Sequence, residues 1–149
     1  MTVPRRLLGV DHGQVRIGLA VSDPDNKIAS PLATYQRQRR DQDAAYFQAV
    51  VKDEEIGQII LGLPIHAGGR EGSKAAEVRA FGSWLREITG LSVVYWDERF
   101  TTVQAEAHLW SAGLTHKARK ARRDRVSAQI ILQSFLDANP KEELPDGRK

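Results

Sequence analysis

Three short apolar runs crowd the first 35 residues, and this spacing constrains the fold most. Leu7–Val10 and Ile17–Val21 are separated only by "DHGQVR", and "IASPLATY", Ile28–Tyr35, follows closely. Runs of this length and composition read as strands. Lying so close in sequence, they can form an antiparallel meander. Pro31 gives the third strand an edge position or an irregular start.

The hydrophobic period then changes. Asp41–Glu55 sets Phe47, Val50 and Val51 on one helical face. "IGQIILGLP", Ile56–Pro64, is a compact apolar run bounded by Gly and Pro, as a buried strand would be. Val78, Phe81, Leu85 and Ile88 predict a helix over Ser73–Thr89, ended by Gly90 as a C-cap. "LSVVYWDE", Leu91–Glu98, reads as the fifth strand. "TTVQ" offers a capping box at Thr101 and Gln104 for a helix reaching Ser111 and stopping at Gly113. The last helix carries a basic block and then "VSAQIILQSFL". Its Val126, Ile130, Ile131, Phe135 and Leu136 should pack on the sheet. The expected order is βββαβαβαα, an α/β fold with a five-stranded mixed sheet flanked by helices. One domain over 1–138 and a flexible tail over 139–149 are expected.

The 149 residues include no cysteine, which excludes disulfides and cysteine-ligated zinc or iron–sulfur centres. "MTVPRR" leads straight into a strand-like run, with no targeting signal, and no apolar run approaches a membrane span. A cytoplasmic protein without membrane association is the expectation. The net charge is only +3, but its distribution is uneven. "HKARKARRDR", His116–Arg125, holds six of the 22 Lys and Arg residues, and a smaller cluster, "RQRR", ends at Arg40. Such clusters suit a polyanion, or a solvated helix face.

Acidic residues stand where strands end. Asp11 follows "LLGV", and Asp97 and Glu98 follow "LSVVYW". Asp124 lies inside the last helix. In mixed α/β sheets, sites form beyond the carboxyl ends of central strands. If the last helix crosses near the ends of strands one and five, Asp11, Glu98 and Asp124 can converge. Like charges at such a point raise one another's pKa, and a divalent cation relieves the conflict. Oxygen ligands without Cys or paired His suit Mg²⁺ or Mn²⁺. Two such ions can activate a water and stabilise the leaving oxygen of a phosphodiester. Each residue also has a plainer reading. Asp11 could cap a turn, "DER" could be a local salt bridge, and Asp124 could pair with Lys120.

"GVDHGQVRIGLAVSD", "IILGLPIHAGGREG", "WDERFTT" and "DRVSAQIILQSFL" resemble, in order, the motifs of the YqgF/RuvX family. Those proteins are described as pre-16S rRNA nucleases, or as Holliday-junction-resolvase-like, with an RNase H-like fold. The resemblance spans Leu7 to Leu136. It implies that Asp11, Glu98 and Asp124 are the catalytic, metal-binding carboxylates. Asp97 ranks second, because adjacent strand residues point to opposite faces. Arg16 and Arg99 resemble phosphate or carboxylate partners, and Gly62 and Pro64 resemble shaping residues. Lys117, Arg119, Lys120, Arg122, Arg123 and Arg125 then read as a phosphate-binding surface.

His66 fits either a proton shuttle beside the metals or a polar loop residue. Trp84, Trp96 and Trp110 suit base stacking or the core. His12, His108 and His116 show no ligand spacing. The implied activity is a metal-dependent nuclease acting on structured nucleic acid, with pre-16S rRNA as leading substrate. The alternatives are a resolvase of branched DNA and a non-catalytic nucleic-acid-binding factor in ribosome assembly. Junction cleavage would need a homodimer, whereas RNA trimming is compatible with a monomer.

Overall fold

The computed structural model describes residues 5–100 and 116–138, with side chains over 5–99 and 126–138. The described elements are β1 (Arg6–Asp11), β2 (Arg16–Ser22), β3 (Ala29–Gln36), α1 (Arg40–Asp53), β4 (Ile56–Leu63), α2 (Ser73–Thr89), β5 (Val93–Asp97) and α3 (His116–Asp137). The fifth strand ends one residue earlier than expected. Glu98 opens a 3₁₀ turn, Glu98–Phe100, so it leaves the strand that carries Asp97. The capping box and helix expected over 101–113 lie outside the described residues, as does the tail over 139–149.

The strands form one sheet in the order β3-β2-β1-β4-β5. β1 pairs antiparallel with β2, and β2 with β3, so the meander forms as its short connections require. The helical crossovers make β4 parallel to β1 and β5 parallel to β4. β3 lies at the edge, and its register with β2 slips between Leu19 and Ala20, where Ala20 meets Pro31. That placement satisfies a residue with no N–H to give to a ladder.

Alternation along the central strands divides the core in two. Leu8 and Val10 of β1, with Ile59, Leu61 and Leu63 of β4, pack against α1 and α2. Phe47 is fully buried there, edge-on to Phe81 and Trp84 with centroids 6.0 and 6.2 Å away. α1 also buries Asp43, while Val50 and Val51 are only partly covered. Asp43 accepts a hydrogen bond of 2.6 Å from the Tyr35 hydroxyl and one of 2.8 Å from the Gln38 N–H. α2 ends at Gly90, whose φ of 74° is the left-handed C-cap that the sequence called for.

Leu7 and Ile60 face the other way, against Ala128, Ile131, Leu132 and Phe135 of α3. The direction of α3 is fixed by two glutamines. Gln129 Nε2 donates to the Ala29 carbonyl at 3.1 Å, and Gln133 Nε2 donates to the Lys27 carbonyl at 3.0 Å. One turn forward on α3 is thus two residues back along the chain leading into β3. Because β3 and β1 point the same way, α3 runs against β1, and its N-terminal turns lead toward the carboxyl end of β1.

Candidate metal and nucleic-acid site

The site is built on the α3 face of the sheet, at the carboxyl ends of β1, β4 and β5. Leu7, Gly9 and Asp11 share this face by alternation. Gly9 brings α3 very close: a Cβ there would lie 2.8 Å from Leu132 Cβ and 2.9 Å from the Ala128 carbonyl oxygen. Asp11 is two residues further along β1. Val10 pairs with Leu61 in the parallel ladder, and one more step of that register sets Asp11 beside Gly62.

Gly62 is the floor of the site. A Cβ there would meet Ile131 Cδ1 at 2.6 Å and Glu98 Oε2 at 2.7 Å. The missing side chain is what leaves room for the Glu98 carboxylate. Gly62 in turn pairs with Trp96 of β5, whose indole N–H donates to Ser134 Oγ of α3 at 3.0 Å. Asp11 and Glu98 therefore flank one bare backbone position on one face of the sheet.

Asp124 belongs to α3, four residues before Ala128 and seven before Ile131. These spacings put its backbone position on the stripe that meets Gly9 and Gly62. One turn back from Ala128 rises about 6 Å, and the two residues from Gly9 to Asp11 span about as much. Its backbone thus lies at the level of Asp11; its side chain, and those of Lys117, Arg119, Lys120, Arg122, Arg123 and Arg125, lie outside the described ones. Among the described residues, no three His, Asp or Glu side chains group closely enough to hold a metal ion.

The neighbouring carboxylates Asp97 and Glu98 have opposite environments. Asp97 Oδ2 accepts from Arg99 Nη2 at 2.7 Å and from Nε at 3.0 Å, so the local salt bridge does form. Those bonds hold the Asp97 carboxyl below its ordinary pKa, against its partial burial. Glu98 is pushed above its ordinary value, first by burial and then by the charge of Asp97. Arg99 also reaches the His66 and Ala67 carbonyls, both at 3.4 Å, and so ties the β4–α2 loop to the end of β5.

Arg16 opens β2 opposite Gln36. His66 is exposed in the β4–α2 loop, and a Cβ on Gly72 would come within 2.5 Å of its Nε2. Trp84 packs in the core cluster of α1 and α2, and Trp96 packs edge-on to Phe135 with centroids 5.3 Å apart. Both therefore take the packing role; Trp110 lies outside the described residues. His12, given no role from its spacing, lies half-buried with Arg37 on the opposite face of β1. The only sequence signal for that pair was the "RQRR" cluster.

This architecture is that of the RuvC-like, RNase H-fold proteins. The structure titled "T. thermophilus RuvC in complex with Holliday junction substrate" is similar with a TM-score of 0.53 at 14% identity, over 90% of this chain and 95% of that one. The fowlpox virus Holliday junction resolvase follows at 0.51 and 9%, over 89% of this chain and 99% of the other. The family model described as "RuvX: Holliday junction resolvase" matches residues 5–138, and the chain belongs to that family. A protein of Rhodopirellula baltica is 47% identical over 89% of this chain and 77% of its own length. One of Protochlamydia amoebophila is 42% identical over 91% and 95%. Both carry the name "Putative pre-16S rRNA nuclease".

Proposed function

We propose that this protein is a divalent-metal-dependent nuclease that hydrolyses phosphodiester bonds in structured nucleic acid, and that precursor 16S rRNA is its substrate. The observation that carries the reading is the pairing of Asp11 and Glu98 across Gly62, under the helix bearing Asp124. The names of the relatives support the choice of substrate. The donor set consists of carboxylate oxygens, which suit Mg²⁺ or Mn²⁺. The fit also has a steric side, since the space at Gly62 is filled by the Glu98 carboxylate rather than by a side chain of β4.

Asp11, Glu98 and Asp124 would hold the metal. When bound, it supplies the positive charge that acidifies a water and offsets charge on the leaving oxygen. Asp11 is fixed by a central strand and Glu98 by the short 3₁₀ turn that leaves β5. Lys117, Arg119, Lys120, Arg122, Arg123 and Arg125, which surround Asp124 in the sequence, would neutralise backbone phosphates. Arg16 and the exposed part of Arg99 contribute further phosphate contacts. Arg99 meanwhile keeps Asp97 turned away from the ligand set.

Among the described residues no helix is long and apolar enough to cross a membrane. An rRNA substrate supports a place in the bacterial cytoplasm, as monomer or homodimer. The family description favours a second substrate, a four-way DNA junction, whose symmetric incision needs a dimer. The test runs both substrates side by side with Mg²⁺ or Mn²⁺, using wild type and Asp11→Asn. We expect cleavage of the 16S precursor leader by wild type alone. Cleavage of the junction alone would replace the substrate assignment. Tight binding with no cleavage of either would favour an assembly factor.

A further inference from the structure

The basic run Arg37–Arg40 has no part in the reading above. It leaves β3 and enters α1 at the same end of the sheet as Asp11, but on the other face. Asp11 faces α3, and by alternation His12 faces α1 and α2. The His12 ring packs on Phe81 with centroids 4.7 Å apart, and its Nε2 lies 3.2 Å from Arg37 Nη1. Arg37 Nη1 also donates to the Gly13 carbonyl at 2.9 Å, and its guanidinium carbon stands 5.4 Å from the centre of the Phe81 ring. Arg40 stands 5.5 Å from the Trp84 ring centre. These groups border an open cavity of about 450 Å³.

The acidic groups of this cavity are partly committed. Asp43 is buried and already accepts from Tyr35 and Gln38. Glu77 accepts from the Gln14 amide at 3.2 Å. A simple anion hole would not carry two carboxylates. A planar cation standing over an indole, beside amide donors and acceptors, matches a nucleotide better: a guanidinium takes a base on its face and a phosphate on its edge. A strand lying at Asp11 need only pass the turn at Gly13, which Arg37 holds, to reach the cavity.

We propose that the cavity bordered by Arg37, Arg40 and Trp84 is a subsite for one nucleotide of the substrate strand, flanking the bond cleaved at Asp11. Its position relative to cleavage rests on the nuclease reading, whereas its nucleotide binding does not. The test measures binding of a short labelled single-stranded RNA by anisotropy in EDTA, where no metal-dependent cleavage occurs. Arg40 is exposed and suits substitution, with Lys52→Ala at the far end of α1 as control.

Arg40→Ala should weaken binding roughly tenfold and lower the slope of log affinity against log salt by about one. Arg40→Lys should restore the slope and not the affinity, because the charge returns without the plane. In cleavage assays the Arg40 variants should raise KM and leave kcat unchanged. An Arg40→Ala protein with the affinity and salt slope of Lys52→Ala would overturn the subsite. So would AMP that binds wild type and not Arg40→Ala while RNA affinity stays equal, since the cavity would then serve a free nucleotide. RNA binding that depends on Arg40 in a wild type that cleaves nothing would sink the nuclease reading and leave the subsite standing.

Discussion

The Glu98 carboxylate occupies space that any side chain at Gly62 would claim, with Oε2 only 2.7 Å from where a Cβ would stand. Gly62→Ala should therefore act on catalysis more than on folding. The nearest atoms, Glu98 Oε2 and Ile131 Cδ1, are ends of side chains that can move aside. Moving Glu98 by about an ångström can lower cleavage on the order of 100-fold, while overpacking should lower stability by no more than about 1–3 kcal/mol. Cleavage rates and urea denaturation on one preparation check this. Full activity in Gly62→Ala would remove Glu98 from the catalytic set.

Gly9 makes the opposite prediction. Its obstacles are Leu132 Cβ and the Ala128 carbonyl oxygen, neither of which can swing away. Gly9→Ala must push α3 off the sheet. The expected loss is about 1–3 kcal/mol, read as a lower urea midpoint at unchanged m-value. Because α3 carries Asp124, cleavage should fall as well. The shallower Ala128→Gly change at the same contact should leave the sheet–helix spacing intact, with a smaller loss of about 1 kcal/mol from helix propensity.

Ser22 closes the other end of β1. Its buried Oγ accepts the Leu7 N–H at 2.8 Å and donates to Asn26 Oδ1 at 2.5 Å. Ser22→Ala leaves the Leu7 N–H without that acceptor, at a cost of about 1–3 kcal/mol. Asn26 sits at a φ of 57°, which Asn tolerates better than most residues. Asn26→Gly should therefore cost less than Asn26→Ala. Thermal unfolding of the three variants checks the order, and cleavage by the folded fraction should be unchanged, since this end lies far from Asp11.

The sequence made the order of elements legible because its connections were short or its helices well punctuated. Ser73–Thr89 was readable at both ends, since a four-residue apolar stripe preceded a glycine free to turn left-handed. The resemblance singled out Glu98, and strand alternation said only that Asp97 could not share its face; the structure separates the two, one against Gly62 and one on Arg99. α3 was less legible. Large residues in "VSAQIILQSFL" drew the helical stripe to Val126, Ile130, Ile131 and Phe135, which are buried, but passed over Ala128 and Leu132, which are buried completely. Their partner is Gly9, a small residue that gives no hydrophobic signal. The His12–Arg37 contact was equally hidden, because 25 residues and two strands separate its members.

The pH response of Asp97 and Glu98 tests their different environments. Asp97 is held below its ordinary value of 3.8 by Arg99, so it stabilises the fold above that pH and loses the contribution as pH falls through its folded value. Glu98 is raised above 4.5, chiefly by burial. Its ionised form is disfavoured by folding, so without metal it lowers stability at neutral pH, and the penalty disappears as pH falls through its folded value to 4.5. Metal-free Glu98→Gln should be more stable than wild type at pH 7, with the difference shrinking on acidification. In Asp97→Asn, the carboxyl ¹³C titration of Glu98 should move down, because a like charge is gone and Arg99 is released. Adding Mg²⁺ should reverse the first comparison, raising the Tm of wild type and not that of Glu98→Gln. An equal Mg²⁺ response in both proteins would take Glu98 out of the ligand set and leave its raised pKa as a property of burial alone.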